Sequence, residues 1–438
     1  MKITDILGLN ARTQLYSYPF NKKKAKSKAA SKLSTKKALV KAGIPVPLLL
    51  AKFSKASDLV GFEWAKLPNA FALKPSKGLG GEGIIVVKKR LAKEGWITTQ
   101  KTKVTVSDLK LHVLDILEGA YSIGNIPDIA FVEEYVGRHK AFRKYAYRGT
   151  PDIRIIVFNK VPVMAMLRLP TKESGGRANL HQGAIAVGID IATGITVKAY
   201  WHGEYIHYKP GTKRKLNGIK IPSWTQILTL ASECQITTEI GYLGADVVLH
   251  PEKGPMILEL NYQPGLSIQL ANSAGLKKRL DKVEDLKVRD ADHGVKIAKS
   301  LFMSNFADRV NAEEGIKIIK SLQEIIIRGA GGKKRKVIAK IDTGAWRTSI
   351  NENLAQELGL LSEGNILWKK KFKSSLGIEE RPVISLIFRM AGRKIITPAS
   401  VAKRHSLKYP VIIGRKNLKG FLVDAVISPS EIEEMKKK

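Results

Sequence analysis

FALKPSKGLGGEGIIVV joins an apolar strand ending in Lys74 to a second apolar strand through Gly78, Gly80, Gly81 and Gly83. Such a turn lets backbone N–H groups approach phosphate oxygens with no side chain in the way, while the lysine supplies a point charge. A hairpin with a flexible tip has the same composition, and the ending and following helix of a P-loop are missing. FVEEYV ends another apolar strand with Glu133 and Glu134, acceptors suited to an adenine amino group or ribose hydroxyls, with the backbone of Tyr135 and Val136 beside them. Solvated surface carboxylates are the bland alternative. In GADVVLH and ILELNYQPG, Asp246, Glu259 and Asn261 stand on strands, and the last two, two residues apart, share a face. Three oxygen donors on adjacent strands suit magnesium, a hard cation that keeps waters and accepts nucleotide phosphates. PDIRIIVF, MLRLP and GGRANLHQG add Asp152, Arg154, Arg168, Arg177, Asn179 and His181. His181, a lone histidine beside an arginine, also reads as a packing residue.

A second constellation lies near the C-terminus. KVIAKIDTGAWRTSI places Asp342, Thr343 and Gly344 directly after an apolar strand, and KYPVIIGRKNLKGFLVD supplies Ile412, Ile413 and Gly414. The first group can present a carboxylate at a loop tip; an Asx-type turn after a strand gives the same sequence.

The elements that must carry these residues are legible in outline. Leu33, Leu39 and Val40 recur at helical spacing before AGIPVP, where Gly43 and Pro45 stop the helix. Strands are expected at FALKP, GIIVVKK, 129–136, 153–158 and 161–169, with antiparallel pairing suited to the short connectors. A helix over 225–240 precedes GADVVLH and PMILELN, joined by the turn-forming PEKG. A charged stretch from Leu276 to Glu324 reads as helical and leads to GAGGKKRK, a break taken as the start of a new unit. Beyond it come five short strands and one helix at 353–358. The expected organisation is α+β: a basic segment at 1–70, a core at 71–275, a helical bridge at 276–324 and a small all-β domain at 325–438.

Composition bounds the possibilities. The 438 residues suggest two or three domains at roughly 150 each. With 44% hydrophobic and 26% charged residues, wholesale disorder and collagen-like usage are excluded. The lone Cys234 cannot form an intramolecular disulfide and reads as a small core hydrophobe, which points to a reducing compartment. The net charge of +36 favours anionic partners such as an acidic polypeptide. Lysine outnumbers arginine 55 to 20 and is spread throughout, with no aromatic-interleaved basic motif, so a nucleic-acid partner is not expected. No apolar run is long enough for a membrane span, and the expectation is a soluble, cytoplasmic protein.

Taken in order, KLSTKKALVKAGIPVP, LKPSKGLGGEGI, FVEEYV, DIRIIVF, RANLHQG, GADVV and LELNYQPG resemble the ATP-grasp family over about residues 1–300, and within it the RimK-like alpha-L-glutamate ligases. That resemblance implies ATP and Mg2+ as cofactors and amide formation between a carboxylate and an amine, with an amino acid, peptide or protein as acceptor. It implies that Lys32 and Lys74 contact nucleotide phosphates beneath a flap carrying Gly80, Gly81 and Gly83. Glu133, Glu134, Tyr135 and Val136 would hold adenosine, with Asp152 and Arg154 also at the nucleotide. Asp246, Glu259 and Asn261 would ligate magnesium, and Arg168, Arg177 and Asn179 would face the transferred phosphate and the acceptor. The opening MKITDILGLNAR lies closer to the ligase-related subgroup than to the ribosomal-protein modifiers, which leaves glutamate unassigned.

IDTGA, RPVI, YPVIIGR and FLVD resemble the RimK-associated, retropepsin-like domain over most of 325–430. Aspartic proteolysis needs two carboxylates sharing a proton, and the chain supplies one, Asp342, so activity would imply a homodimer through this domain. Zinc chemistry would need three or four ligands, and His405 is the domain's only histidine. The alternative is a nucleotide-regulated polyanion- or peptide-binding protein with an inactive β domain.

Overall fold

The structure, a computed structural model, describes residues 3–78, 80–92, 95–302, 317–374, 377–403 and 408–424. The chain divides into two compact units: Met1–Asp190 with Gly194–Asp285, and Ile191–Thr193 with Leu286–Lys438. Among the described residues no helix is long and apolar enough to cross a membrane.

The first unit holds two antiparallel sheets. One comprises β1 (Leu49–Phe53), β2 (Phe71–Pro75), β3 (Ile85–Arg90), β4 (Trp96–Thr98), β5 (Lys103–Val104) and β6 (Ala130–Glu134), in the order β1-β6-β2-β3-β4-β5. Helix Val106–Leu117 covers this sheet. Its start is fixed by a capping box in which Thr105 and Asp108 satisfy each other's backbone N–H. Leu109, Val113 and Ile116, spaced for one face, are fully buried with Phe53, Phe71, Leu73 and Trp96. At about 1.5–3 kcal/mol for each large side chain taken from water, this cluster anchors the sheet.

The other sheet comprises β7 (Asp152–Phe158), β8 (Val161–Leu169), β9 (Ile185–Ile189), β10 (Thr196–Trp201), β11 (Glu204–Ile206), β12 (Tyr242–His250) and β13 (Gly254–Asn261), in the order β11-β10-β9-β8-β7-β12-β13. All nine residues of β8 are buried, because helices Trp224–Thr238, Ile268–Asn272 and Lys277–Leu280 pack against it. The N-terminal segment is pinned by Asn21, whose side chain donates to Tyr242 O and Tyr262 O, both at 3.0 Å, and accepts from Tyr242 N at 2.8 Å. Helix Lys32–Lys41 follows, capped by Ser31 and ended at Gly43, whose φ of 72° suits glycine.

The second unit begins with helix Ala291–Leu301, N-capped by Asp290. Its strands are β14 (Lys317–Lys320), β15 (Leu322–Arg328), β16 (Lys334–Asp342), β17 (Ser349–Asn351), β18 (Ile366–Ser374), β19 (Gly377–Met390), β20 (Arg393–Ala402), β21 (Val411–Gly414) and β22 (Phe421–Asp424). The main sheet runs β15-β16-β21-β17-β20-β19-β18, and β15 also pairs with β19, so six strands close into a barrel with β18 beyond the seam. The core is mainly aliphatic, with Ile325, Ile327, Ile341, Ile350 and Leu386 buried around Phe388.

One element departs from expectation. Helix from Leu276 to Glu324 was expected, but among the described residues helix covers only Lys277–Leu280 and Ala291–Leu301, and the stretch ends in β14 and β15. Ile325 and Ile327 are buried while Ile326 is 41% exposed, an alternation of period two that the surrounding charges obscured. The GAGGKKRK break is the tip of the β15–β16 hairpin, with Arg328 opposite Lys334, and Gly331 and Gly332 supply the positive φ it needs.

Helix Ala291–Leu301 is tied to β18 by His293, whose Nε2 bonds Leu367 O at 3.1 Å while Nδ1 accepts from Arg289 N at 3.2 Å. The bond accepted by Nδ1 requires the neutral ring, and burial with the nearby Arg289 charge pulls its pKa below the ordinary value although the Leu367 bond opposes this. The unfolded chain therefore binds this proton first, so the second unit should lose stability as pH falls below about 6.5. Denaturant midpoints of the parent and His293→Gln across pH 5 to 7, roughly the window of the unfolded histidine, check this: the substitution should flatten the slope. An equally steep parent and variant would count against the histidine.

Candidate functional site

β2 and β6 are adjacent, with Ala72 opposite Glu133, so Lys74 and Glu133 lie diagonally across the ladder. Lys74 Nζ is hydrogen-bonded to Glu133 Oε1, and Lys36 Nζ, from helix Lys32–Lys41, lies 2.8 Å from Oε2. Burial alone would raise the Glu133 carboxyl, but Lys74 and Lys36 together outweigh it and hold it below the usual carboxylate range. One turn earlier on the helix, Lys32 Nζ donates to Gly78 O at 2.6 Å and lies 3.7 Å from Glu259 Oε1. Lys32 therefore joins the glycine-rich turn of one sheet to β13 of the other.

On the second sheet charges in two neighbouring rows of one face span four strands. Glu259 stands opposite Asp246, Asp246 opposite Arg154, and Asp152 opposite Arg168. Arg154 clamps Asp246 with two bonds of 2.7 and 2.6 Å. Arg168 bonds both oxygens of Asp152 and reaches Asp246 Oδ2 at 2.7 Å. Burial, aided by the Asp246 charge, pushes Asp152 up to about 6 against the pull of Arg168. Asp246 stays below the carboxylate range because Arg154 and Arg168 overcome its burial. Asn261 Nδ2 is 3.4 Å from Asp246 Oδ2.

The donor chemistry of Asp246, Glu259 and Asn261 fits a hard divalent cation, since all three offer oxygens on one face. Glu259 is about a third exposed at the side chain, whereas Asp246 is 2% exposed and already neutralised by the two arginines. Among the described residues no group of three His, Cys, Asp or Glu side chains is arranged to hold a metal.

The loop after β8 comes to the glycine-rich turn. Asn179 Nδ2 donates to Gly80 O at 3.0 Å, and a Cβ on Gly81 would lie 3.7 Å from Arg177 Cδ. Gly83 has a φ of 67°, and a Cβ there would stand 2.5 Å from Tyr121 Cγ, so no other residue fits. His181 contributes its backbone N–H to Asn179 Oδ1 at 3.0 Å. Glu134 is taken up by Lys253 and by Leu48 N at 3.3 Å. Val136 is buried with Val248 and Met256, and its carbonyl accepts from Thr150 Oγ1 at 2.6 Å.

Two residues at this site were not singled out from the sequence: Lys36, which reads as one more lysine of a basic stretch, and Lys253, from a turn. For Lys36 the usable signal was its position four after Lys32, which places both on one helical face.

Asp342 lies in the other unit, at the end of β16 opposite Gly414. Its Oδ1 accepts from Gly344 N at 2.8 Å and Ala345 N at 2.9 Å, an Asx-type turn. His405 lies outside the described residues.

The sequence pattern of the sugar-transfer associated ATP-grasp family matches residues 11–285. The chain belongs to this family. The resemblance to ATP-grasp proteins is thus borne out, under a family description that names sugar transfer, and the glutamate ligases expected are found among the relatives. Those ligases are also similar: the chain is 24% identical over 253 residues to a probable alpha-L-glutamate ligase of Pectobacterium carotovorum subsp. carotovorum (strain PC1), covering 58% of this chain and 61% of that one. A counterpart in Klebsiella pneumoniae (strain 342) is 25% identical over 257 residues, covering 58% and 62%. The chain spans about three fifths of the length of these curated relatives. Among solved structures, the D-alanine–D-alanine ligase of Bacillus anthracis complexed with ATP is 14% identical, covering 60% of this chain and 68% of that one, at a TM-score of 0.35. The L-amino acid ligase of Bacillus licheniformis is 12% identical, covering 60% and 50%, at 0.34.

Proposed function

We propose that this ATP-grasp chain is an ATP-dependent carboxylate–amine ligase acting on an amino acid, peptide or protein. The observation that carries the reading is Lys32, whose ammonium reaches both the glycine-rich turn and Glu259 and so gathers phosphate-type cations and hard oxygen donors at one place. Lys32 and Lys74 bind the phosphates, the turn with Gly80, Gly81 and Gly83 covers them, and 133–136 lines the adenosine, with Asp152 and Arg154 behind it. Glu259, Asn261 and Asp246 would hold magnesium, which shields phosphate charge when bound. A substrate carboxylate oxygen attacks the terminal phosphorus and ADP leaves. The amine then adds to the acyl carbon and expels phosphate, with the amine proton lost to solvent. Arg168, Arg177 and Asn179 offset charge on the moving phosphoryl group and orient the acceptor. The closed turn keeps water from the acyl phosphate.

Incubation with ATP, magnesium and a panel of amino acids and peptides, followed by detection of ADP and of mass-shifted amide products, tests this. ADP formed only when a carboxylate and an amine are both present is the expected result; acceptor-independent hydrolysis with no amide product would refute ligation.

The relatives named above are called glutamate ligases, which makes glutamate the first amino acid to try and an acidic polypeptide a natural partner. A surface of the barrel favours the latter. In one register row across β16, β15, β19 and β20 stand Lys336, Ile326, Arg389 and Lys394, and Arg328 with Lys334 adds two more cations in the next row. For Asp342 we propose a retropepsin-like role that requires a second copy of the chain. Peptidase activity should then rise with protein concentration, resist chelators and vanish in Asp342→Asn.

A further inference from the structure

Lys36 has no place in the scheme above, yet it is one of the most enclosed cations of the first unit. It is 7% exposed, Glu133 2% and Lys74 9%. Its Nζ donates to Pro47 O at 2.6 Å and lies 2.8 Å from Glu133 Oε2, while Lys74 occupies Oε1. Two ammonium groups therefore share one carboxylate where water is nearly shut out, leaving one positive charge in excess. Burial, with the Lys74 charge adding to it, draws Lys36 below the usual lysine range despite its contact with Glu133.

An excess buried cation is costly unless an anion comes to it, and a buried carboxylate stripped of every cation is costlier still. Lys74 can turn to a phosphate only by leaving Glu133. We propose that Lys36 is a positioning residue: by keeping Oε2 of Glu133 neutralised, it frees Lys74 to move from the carboxylate to the nucleotide. The inference rests on the ligase reading for the presence of that nucleotide. Without Lys36, Lys74 is the sole counter-ion of Glu133 and stays with it, so the protein's own carboxylate competes with the phosphate. Pro47 O, accepting the third interaction, fixes the Lys36 ammonium so that it cannot follow Lys74 toward the ligand.

The test is a set of calorimetric titrations of the full chain with magnesium and ADP, or with a non-hydrolysable ATP analogue, comparing the parent, Lys36→Met, Glu133→Gln and the double variant. Lys36→Met should weaken binding by about 10- to 100-fold, the range expected of one charge-assisted bond. The double variant should match Glu133→Gln, because with the carboxylate gone Lys36 has nothing left to neutralise. A merely structural lysine would weaken binding in both backgrounds, and that result would overturn the inference. Should Lys36→Met alone fail to fold, the comparison of the double variant with Glu133→Gln still decides. Variants that all bind like the parent sink the role of Lys36 alone, whereas a parent that binds no nucleotide sinks the ligase reading and this inference with it.

Discussion

Lys74→Ala is expected to bind magnesium–nucleotide roughly 30- to 150-fold more weakly than the parent, the loss of about 2–3 kcal/mol that follows when a charged donor to phosphate is removed. The chain should remain folded, because Lys36 stays 2.8 Å from Glu133 and the buried pair becomes neutral overall. Binding and stability are thus predicted to part company at this position. Glu259→Ala should act differently: it is about a third exposed at the side chain and 3.7 Å from Lys32, so its removal costs little stability but makes nucleotide affinity less dependent on magnesium. Calorimetry with and without magnesium separates the two. Unchanged affinity in Lys74→Ala would remove the phosphate role from the strand-and-turn segment altogether.

The largest stability effect is expected at Arg168. This guanidinium bonds both oxygens of Asp152 and one of Asp246, and all three groups are at most 9% exposed. Arg168→Met leaves two neighbouring buried carboxylates with Arg154 as their remaining cation, and breaking a buried pair in this way costs about 3–5 kcal/mol. The pH dependence identifies the cause. Asp152 is already pushed up to about 6, and losing the cation that opposes this push raises it further. A carboxyl whose folded pKa exceeds its unfolded value contributes stability at low pH that is lost as pH rises through the folded value. The deficit of Arg168→Met should therefore be greatest above neutrality and shrink as pH falls toward about 6, where Asp152 takes up its proton in the parent as well. Urea midpoints measured across that range give the answer; a deficit constant with pH would mean lost packing, not an uncompensated charge.

How far the site could be read from the sequence depended on whether a residue's role was local. The β12–β13 hairpin was legible because apolar runs flank a turn-forming PEKG, and with it came the pairing of Asp246 with Glu259. β8 was legible as a continuous apolar run. Lys36 was not, since nothing in a lysine-crowded segment tells which ammonium is turned inward; that depends on Glu133, 97 residues away in sequence, the difference between the two positions. The arginine clamps on Asp246 were hidden for the same reason: the strands announce that the side chains share a face, and only the packed sheet shows that they satisfy one another. β14 and β15 were misread because lysines and glutamates at a strand's outer face look like those of a solvated helix, while the alternation of Ile325, Ile326 and Ile327 is too short to dominate.

The Asn21 anchor has a consequence for biosynthesis. Its partners Tyr242 and Tyr262 are separated from it by 221 and 241 residues, so at about 5–20 residues per second a ribosome needs roughly 10 to 45 s to deliver the first of them. Throughout that interval the nascent N-terminal segment, basic and free of acidic residues from 6 to 57, is outside the exit tunnel without its docking site. A ribosomal pause or premature stop before Tyr242 leaves a polycation with no place to fold, a natural client for chaperones and proteases, whereas a stop after Tyr262 gives Asn21 both of its partners but still withholds Gln269 and Asp281, which hold Leu7 and Tyr16.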